Sequence, residues 1–316
     1  MHSLASQSFF AVMYHYVRPR NESKLRYFSK SDFEDQLDYF QSKFGFVTRE
    51  DWIEFRLKGK IPRGALLTFD DGLRDHFVTV MPELTRRDIF ALFFVNTNPL
   101  LGKPLSVHLV HWLLANVSID DIFASLIPRL KSLEISTRLN KQLNRIYEFQ
   151  DYNTDEKRLK RLINWALKPQ QSSEIVEELF CKFSDVGISE FVTNWYLNEN
   201  EIRQLSQYGF EIGSHTCSHS LLSNLDNNQC EYEILESRQI LSEVLNSPVN
   251  SFCFPFGGPK SYRSNSISTL AKSGYAEAFS VGPSTITSET KLSNQFSLPR
   301  FDCIELPKSI HDADAN

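Results

Sequence analysis

The feature that most constrains the fold is a pair of adjacent carboxylates, Asp70 and Asp71, shortly after an apolar run. Residues 65–67 have the composition of a buried strand, so the carboxylates stand at its carboxyl end, and Gly72 permits the sharp turn that follows. Parallel α/β folds keep their chemistry at such strand ends. An Asp-Asp-Gly sequence alone is more often a plain turn, so its interpretation depends on which other residues reach the same edge.

Short apolar runs alternate with amphipathic segments along most of the chain, which predicts parallel β-α units and an α/β fold. The apolar runs lie at 8–17, 65–67, 89–95, 210–212, 251–256, 276–281 and 296–301. The alternation stops between residues 99 and 193, where the sequence is helical in character and too long for an ordinary loop. We therefore interpret this segment as a helical insertion at the carboxyl end of the strand that begins at Ile89.

A second motif follows the apolar run at 210–212 and contains His215 and His219. A spacing of four residues would place both imidazoles on one face of a helical turn, which suits two ligands of one metal ion. Two imidazoles and one carboxylate, with a position left for water, form the ligand set of a catalytic zinc-type site. Asp71 can supply that carboxylate, and Asp70 is then free to act as a base.

Four motifs in this order resemble the polysaccharide deacetylases of the NodB-homology type, carbohydrate esterase family four. They are TFDDG at 68–72, SHTCSH at 214–219, FCFPFG at 252–257 and LPR at 298–300. The first two motifs are specific and the other two are supportive. The resemblance implies a distorted (β/α) barrel of seven or eight strands, formed by residues 1–98 and 194–316, with residues 99–193 as a helical insertion over the active-site face.

The resemblance also implies a divalent metal ion and hydrolysis of an N-acyl group on a sugar. We predict that Asp71, His215 and His219 hold this ion, which is zinc or, as alternatives, cobalt, nickel or manganese. The ion would polarise the amide carbonyl and lower the pKa of bound water, and Asp70 would accept the proton of that water as the catalytic base.

Asp70 is a poor base in bulk water and needs positioning by a cation or a hydrogen bond. In the family that cation is often an arginine just before the proline of the third motif, but residues 252–255 contain no arginine. We therefore predict that Arg300 is the catalytic partner of Asp70. The family's general acid is a histidine near the carboxyl terminus; His311 matches poorly and His15 is an alternative, so the acid stays unassigned.

Five further residues are candidate substrate-binding positions. Phe256 resembles the residue whose backbone N–H helps to hold the oxyanion, and Gly257 with Gly258 would leave room for a sugar. His15 lies near the end of the first strand, where a site-lining role and a structural role are equally plausible. His108 and His111 lie one helical turn apart near the start of the insertion and could reach substrate, although ordinary polar positions on an amphipathic helix are commoner.

Composition limits the partners and the compartment. A chain of 316 residues that is 41% hydrophobic can bury a large core, and a formal charge of −5 gives no support to nucleic-acid binding or to a polybasic anchor. An apolar run of about 18 residues is absent, so we expect no stable membrane insertion. Five scattered cysteines without CxxC spacing and an amino terminus unlike an export signal predict a cytoplasmic protein with reduced thiols.

The leading hypothesis is a metal-dependent hydrolase that removes an N-acyl group, acetyl rather than formyl, from an amino sugar. An overhanging insertion would suit a short precursor of a cell-surface glycan better than a polymer that passes through an open groove. One alternative is an amidohydrolase that acts on a small non-sugar amide. Another is a carbohydrate-binding homologue that keeps the barrel and has lost turnover, an alternative motivated by the missing third-motif arginine and the unassigned acid. The sequence does not specify the sugar, its carrier or the oligomeric state.

Overall fold

Seven parallel strands form the central sheet of the computed structural model, which describes residues 4–19, 24–133, 153–309 and 312. The strands in chain order are β1 (Phe9–Tyr14), β2 (Val17–Arg18), β3 (Phe28–Ser29), β4 (Gly64–Phe69), β5 (Ala91–Val95), β6 (Glu211–Ser214), β7 (Ser251–Cys253), β8 (Glu277–Phe279) and β9 (Arg300–Asp302). The sheet order is β8-β7-β6-β5-β4-β1-β9, and β2 and β3 form a separate two-stranded sheet.

The central sheet nearly closes into a barrel because the segment before β9 reaches back to β8. Leu298 donates its backbone N–H to the Ala278 carbonyl and accepts the N–H of Ser280, while β9 itself pairs in parallel with β1. The carboxyl ends of all seven strands therefore face the same end of the barrel. The predicted (β/α) barrel is confirmed, with seven strands.

Helices surround this barrel. The α-helices within the described residues are α1 (Lys30–Lys43), α2 (Arg49–Lys58), α3 (Met81–Arg87), α4 (Ser106–Asn116), α5 (Ile119–Ser132), α6 (Thr154–Arg161), α7 (Pro169–Phe183), α8 (Ile188–Trp195), α9 (Glu199–Gln207), α10 (Asn227–Leu245), α11 (Ser264–Lys272) and α12 (Ser288–Asn294). Local capping fixes several starts: at α10, the Asp226 side chain accepts the Gln229 N–H and the Gln229 side chain accepts the Asp226 N–H. None of the described helices is long and apolar enough to span a bilayer.

Alternation along the strands divides the core into two clusters. In β1, Phe9 and Ala11 join one cluster and Phe10 and Val12 join another, as expected where successive side chains point to opposite faces of a sheet. The cluster of Phe9 also contains Trp52 from α2, which therefore packs against the interior of the barrel.

A buried ionic cluster lies at the amino ends of the strands, opposite the Asp-Asp turn. Arg56 of α2 contacts Glu211 at the start of β6, Glu277 at the start of β8 and Ser251 at the start of β7. Glu277 is 2% exposed. This end of the barrel is thus closed by α2 and its ion pairs.

The helices α4 to α8 between β5 and β6 pack around a hydrophobic cluster of their own. This cluster also includes Tyr16 and Leu73, so it continues into the barrel at the end where the Asp-Asp turn lies. The chain returns to the barrel through an antiparallel bridge between Tyr196 and Leu73 and through a hydrogen bond from the Leu197 N–H to the Gly72 carbonyl. The boundaries 99 and 193 of a helical insertion stay a prediction.

Candidate active site

The carboxyl end of the barrel brings together the polar residues of the four motifs. Asp70 and Asp71 follow β4, His215 follows β6, and Arg300 begins β9. Asp71 adopts a left-handed backbone conformation with φ of 79°, and Gly72 follows with φ of 60°. A Cβ at position 72 would lie 2.9 Å from a methyl of Val95, so both the turn and the packing favour glycine there.

Asp70 and Arg300 form a buried two-point ion pair. The Arg300 Nη1 lies 2.7 Å from Asp70 Oδ1, and Nη2 lies 2.7 Å from Oδ2. Nη1 also donates to Thr68 Oγ1 at 2.9 Å. Burial alone would raise the pKa of Asp70, but the Arg300 guanidinium outweighs burial and lowers that pKa to about 2. Asp70 is therefore ionised and fixed in orientation.

Cys253 completes the surroundings of this ion pair and was not singled out from the sequence. Its Sγ lies 2.9 Å from Arg300 Nη2 and 3.5 Å from Asp70 Oδ2. Cys253 ends β7 in the third motif, and the guanidinium beside it comes from β9. The sequence signal that could have identified Cys253 is its position at the end of a strand, with a side chain that points into the barrel.

Asp71, His215 and His219 form a cluster whose ligand atoms lie within 4.8 Å of one another. Asp71 Oδ1 is 3.4 Å from His215 Nε2 and 3.4 Å from His219 Nε2. Ligand atoms about 2.0–2.2 Å from a tetrahedral zinc ion are roughly 3.3–3.6 Å apart, so this spacing fits. Asp71 Oδ1 is also buried without a hydrogen-bond partner among the described residues. The donor set thus suits a divalent cation.

A second grouping, Asp70 with His215 and Cys253, is less suitable for a cation although its atoms are also close. Both oxygens of Asp70 already accept hydrogen bonds from Arg300. The guanidinium neutralises the carboxylate and would repel a metal ion. We therefore retain Asp71 as the carboxylate of the cluster.

The two histidines do not lie on a helical turn, so that expectation was wrong. Residues 215–219 form a loop in which Thr216 and His219 have positive φ values of 69° and 57°. The loop is held by Glu233 of α10, whose Oε2 accepts the backbone N–H groups of Cys217 and Ser218 at 2.9 Å each. This turn over the edge of β6 still brings the imidazole centroids within 5.0 Å.

Hydrogen bonding fixes the orientation of His215. Its Nδ1 lies 2.8 Å from the Cys253 carbonyl, which can only accept, so Nδ1 carries the proton and Nε2 faces Asp71. Burial lowers the pKa of His219 to about 3. At His215 the interactions with Cys253 and Asp71 outweigh the effect of burial, so the pKa of His215 is raised. Both imidazoles must be neutral to serve as ligands.

The candidate histidines of the insertion have different surroundings. His108 is fully buried, and its Nε2 lies 3.0 Å from Asp71 Oδ2, so it supports a predicted metal ligand and is not an ordinary polar position on a helix surface. His111 is partly buried, with Nδ1 3.0 Å from Tyr16 Oη.

His15 lies at the same end of the barrel, directly after β1. It accepts a hydrogen bond from His76 Nε2 through its backbone carbonyl, at 3.0 Å. Its half-buried side chain interacts electrostatically with Asp70, whose ionised form it favours. His311, the other candidate acid, lies outside the described residues.

Phe256 and Gly257 follow β7 and both have φ of 61°. The Phe256 ring centroid lies 4.8 Å from that of His219 and 6.0 Å from that of Trp165. Gly257 does not leave room for a sugar on its Cβ side, because a Cβ there would lie 2.2 Å from Cγ2 of Val281. Glycine is instead required at position 257 by its positive φ and by the close approach of Val281, which follows β8.

A narrow cleft of about 40 Å³ leads away from His219 and Phe256. Residues from the helical segment, including Ser106, Ile163 and Asn164, form its other side. A wider pocket of about 540 Å³ adjoins the cleft. The two share four lining residues, Ser106, Pro169, Ser218 and Ser220. The lining of the wider pocket includes several hydroxyl and amide side chains, two prolines, a leucine and one aromatic ring, that of Tyr232.

Comparisons with known proteins agree with this architecture. The family model described as polysaccharide deacetylase matches residues 181–278, which include the histidine loop but not the Asp-Asp turn. The deacetylase PplD from Streptococcus pyogenes, solved in complex with acetate, superposes with a TM-score of 0.56 at 14% identity, over 93% of this chain and 92% of its own. IcaB from Ammonifex degensii gives a TM-score of 0.54 at 15% identity, over 99% and 98%.

A de-N-acetylase from Aggregatibacter actinomycetemcomitans gives a TM-score of 0.54 at 13% identity, over 93% of this chain and 94% of its own. At such identities the solved structures show the shared fold alone. No curated protein sequence matches the chain. Fold and site together define a parallel (β/α)7 barrel of the NodB-homology type. The match of residues 181–278 and the shared fold confirm the predicted resemblance to the polysaccharide deacetylases.

Proposed function

We propose that this chain is a metal-dependent N-deacetylase of an amino sugar in a short glycan precursor. The observation that carries the proposal is the ionised Asp70–Arg300 pair directly beside the cluster of Asp71, His215 and His219. A base held in one orientation next to three converging ligands is the arrangement that hydrolysis of an unactivated amide requires.

Asp71, His215 and His219 would hold the cation, which supplies Lewis-acid polarisation of the acyl oxygen and a more acidic water. Asp70 accepts the proton of the attacking water, and Arg300 keeps Asp70 ionised and aimed. The backbone N–H of Phe256 remains the predicted oxyanion donor.

We assign His15 as the proton donor to the leaving amine. It lies at the active end of the barrel, its side chain is partly accessible, and it interacts electrostatically with Asp70. The His15→Ala variant should keep its metal and lose turnover. Loss of metal from this variant would instead give His15 a structural role.

The acyl group is acetyl in this proposal, because PplD was solved with acetate and the Aggregatibacter neighbour is a de-N-acetylase. The pocket of about 540 Å³ supports a short saccharide as the rest of the substrate, since ligand pockets commonly measure about 300–1,000 Å³. Hydroxyl and amide side chains there can bind sugar hydroxyls, and the Tyr232 ring can stack on a sugar face. The cytoplasmic location stays a prediction, which cell fractionation can test.

The complete base and ligand sets favour a hydrolase over a carbohydrate-binding homologue, because binding alone needs no base beside a cation. The alternative of a small non-sugar amide predicts release of amine from simple N-acyl compounds as well as from acetylated sugars. Side-by-side assays on both substrate classes distinguish these functions.

The test of the metal site is elemental analysis of the purified wild type and of His215→Ala. We expect one divalent ion per chain in the wild type and a large loss in the variant. His111→Gln is the matched control, since it removes a neighbouring histidine outside the cluster and should keep the ion. Equal metal content in the wild type and in His215→Ala would contradict the assignment.

A further inference from the structure

The carboxylate of Asp71 is held from two sides. Its Oδ1 faces the two imidazoles of the cluster, whereas its Oδ2 lies 3.0 Å from Nε2 of His108. His108 belongs to α4, in the helical segment and not in a barrel strand. The ring is fully buried, so water does not compete for this contact. A residue far from the metal-binding motifs in sequence therefore determines how Asp71 is oriented.

Hydrogen bonds behind His108 determine which of its nitrogens carries the proton. The Tyr196 hydroxyl oxygen accepts the backbone N–H of Leu105 at 3.1 Å and lies 2.8 Å from His108 Nδ1. Because that oxygen already accepts a hydrogen bond, its own proton can be donated to Nδ1. His108 then carries its proton on Nε2 and donates it to Asp71. The chain of donors runs in one direction, from Leu105 through Tyr196 and His108 to the carboxylate.

The backbone strengthens this link. Tyr196 forms a bridge with Leu73, and the Leu197 N–H donates to the Gly72 carbonyl at 2.9 Å. These contacts hold the turn that carries Asp71 in its left-handed conformation, which is unfavourable for a residue with a Cβ and persists only when its surroundings impose it. The same segment thus fixes both the backbone and the side chain of Asp71.

We propose that His108 and Tyr196 are positioning residues that hold Asp71 in its ligating orientation, so that the segment between β5 and β6 completes the metal site of the barrel. The inference rests on the ligand set of the proposed function. Partners that orient a metal ligand typically contribute about 10–100-fold to metal affinity. Without this donor chain, the Asp71 carboxylate would rotate or accept a water, and the cluster would bind its cation more weakly.

The experiment measures the dissociation constant of Co(II) in competition with a chelator, together with the visible spectrum of the Co(II) protein and the melting temperature of the metal-free protein. Tyr196→Phe removes one hydroxyl, His108→Leu removes the donor, and His108→Gln keeps an N–H donor at the far end of the side chain. We expect His108→Leu and Tyr196→Phe to weaken Co(II) binding at least 10-fold with an altered spectrum. His108→Gln should recover part of the affinity.

Tyr262→Phe is the matched control, because the hydroxyl of this partly buried tyrosine bonds Ser297 Oγ at 2.6 Å, a contact that includes neither the three ligands nor the residues beside them. It should lower the melting temperature as much as Tyr196→Phe and leave Co(II) affinity unchanged. If both His108→Leu and Tyr196→Phe showed the wild-type affinity and spectrum, the positioning role would be overturned and the proposed function would stand. A wild type that binds no Co(II) would instead overturn the ligand set of the proposed function. If His108→Leu fails to fold, Tyr196→Phe and His108→Gln still decide the result.

Discussion

Arg300 and Asp70 form a two-point ion pair in which each terminal guanidinium nitrogen lies 2.7 Å from a separate carboxylate oxygen. The two side chains are 0% and 2% exposed, so the charges compensate each other away from water. The pKa of about 2 means that Asp70 is ionised at any physiological pH. It also makes Asp70 a weak base, and the strength of this base is what Arg300 controls.

The first prediction concerns Arg300→Ala. Burial raises the pKa of Asp70 once the guanidinium no longer opposes it, so the acid limb of the kcat/KM profile should move to higher pH. Turnover at neutral pH should fall at least about 10-fold, because the orientation of the base is lost. Arg300→Lys keeps a charge but not the two-point contact and should lie between the wild type and Arg300→Ala. An unchanged acid limb in Arg300→Ala would show that another cation sets the pKa of Asp70.

The second prediction separates the two adjacent aspartates. Asp70→Asn should keep the metal and the fold but lose about 10²–10⁴-fold in turnover, because an amide of the same volume cannot accept a proton. Asp71→Asn is the matched variant one residue away and should lose the metal. Metal content and acetate release are measured on both. If Asp70→Asn lost the metal and regained activity on reconstitution, the roles of the two residues would have to be exchanged.

The third prediction concerns substrate length. The helical segment narrows the approach to His219, since Trp165 packs on Phe256 and Asn164 lines the same cleft. We expect acetate release from mono- or disaccharide carriers to exceed release from long N-acetylated polysaccharide. Clear preference for the long polymer would refute an overhanging segment.

A variant of the same segment tests this geometry directly. Trp165→Ala removes the ring that packs on Phe256, a residue that lines the cleft, and should raise the ratio of activity on long polymer to activity on short carriers. Trp112→Ala is the control, because the Trp112 ring packs on Phe180 within the segment and does not line the cleft. An equal shift in both variants would mean that the ratio reflects general loosening of the segment.

The fourth prediction concerns stability at the opposite end of the barrel. Arg56→Met leaves Glu211 and Glu277 facing each other without their cation, so unfolding free energy should fall by about 3–5 kcal/mol. Burial already raises the pKa of Glu277. The variant's deficit should therefore shrink as the pH falls and this carboxylate gains a proton. Denaturant unfolding at pH 7 and at lower pH measures the difference, and a deficit that grows on acidification would contradict this account.

The convergence of the motifs could be predicted because it follows from simple rules. Asp70 follows a short apolar run, Arg300 lies near the end of another at 296–301, and parallel strands in one barrel bring their carboxyl ends together. The pairing of these two residues needed only that rule and the absence of an arginine at 252–255. In the structure Arg300 instead begins β9, and its long side chain spans the distance to Asp70.

The histidine loop shows where local spacing is ambiguous. His215 and His219 are four residues apart, which indicated a helical turn, but they lie in a loop with two positive φ values. The residues with positive φ are Thr216 and His219, and neither is a glycine, which would have indicated this conformation in the sequence. Glu233, which holds the loop, is brought there only by the packing of α10.

The role of His108 was not accessible from the sequence for a different reason. Helical periodicity gives the face of α4 on which the residue lies, but not what packs on that face. Its contact with Asp71 spans 37 residues of sequence, and its protonation depends on Tyr196. The contacts that His108 and Cys253 make in the site depend on tertiary packing, which local sequence patterns do not show.

The strand that closes the barrel is also the strand that carries Arg300. During synthesis Asp70 leaves the ribosome 230 residues before its partner. Until then the aspartate has no counter-ion and no fixed direction, whatever part of the sheet has already formed. The proposed base therefore gains its counter-ion only when β9 joins the sheet, and a chain without β9 keeps Asp70 but lacks the ion pair on which the proposed hydrolysis depends.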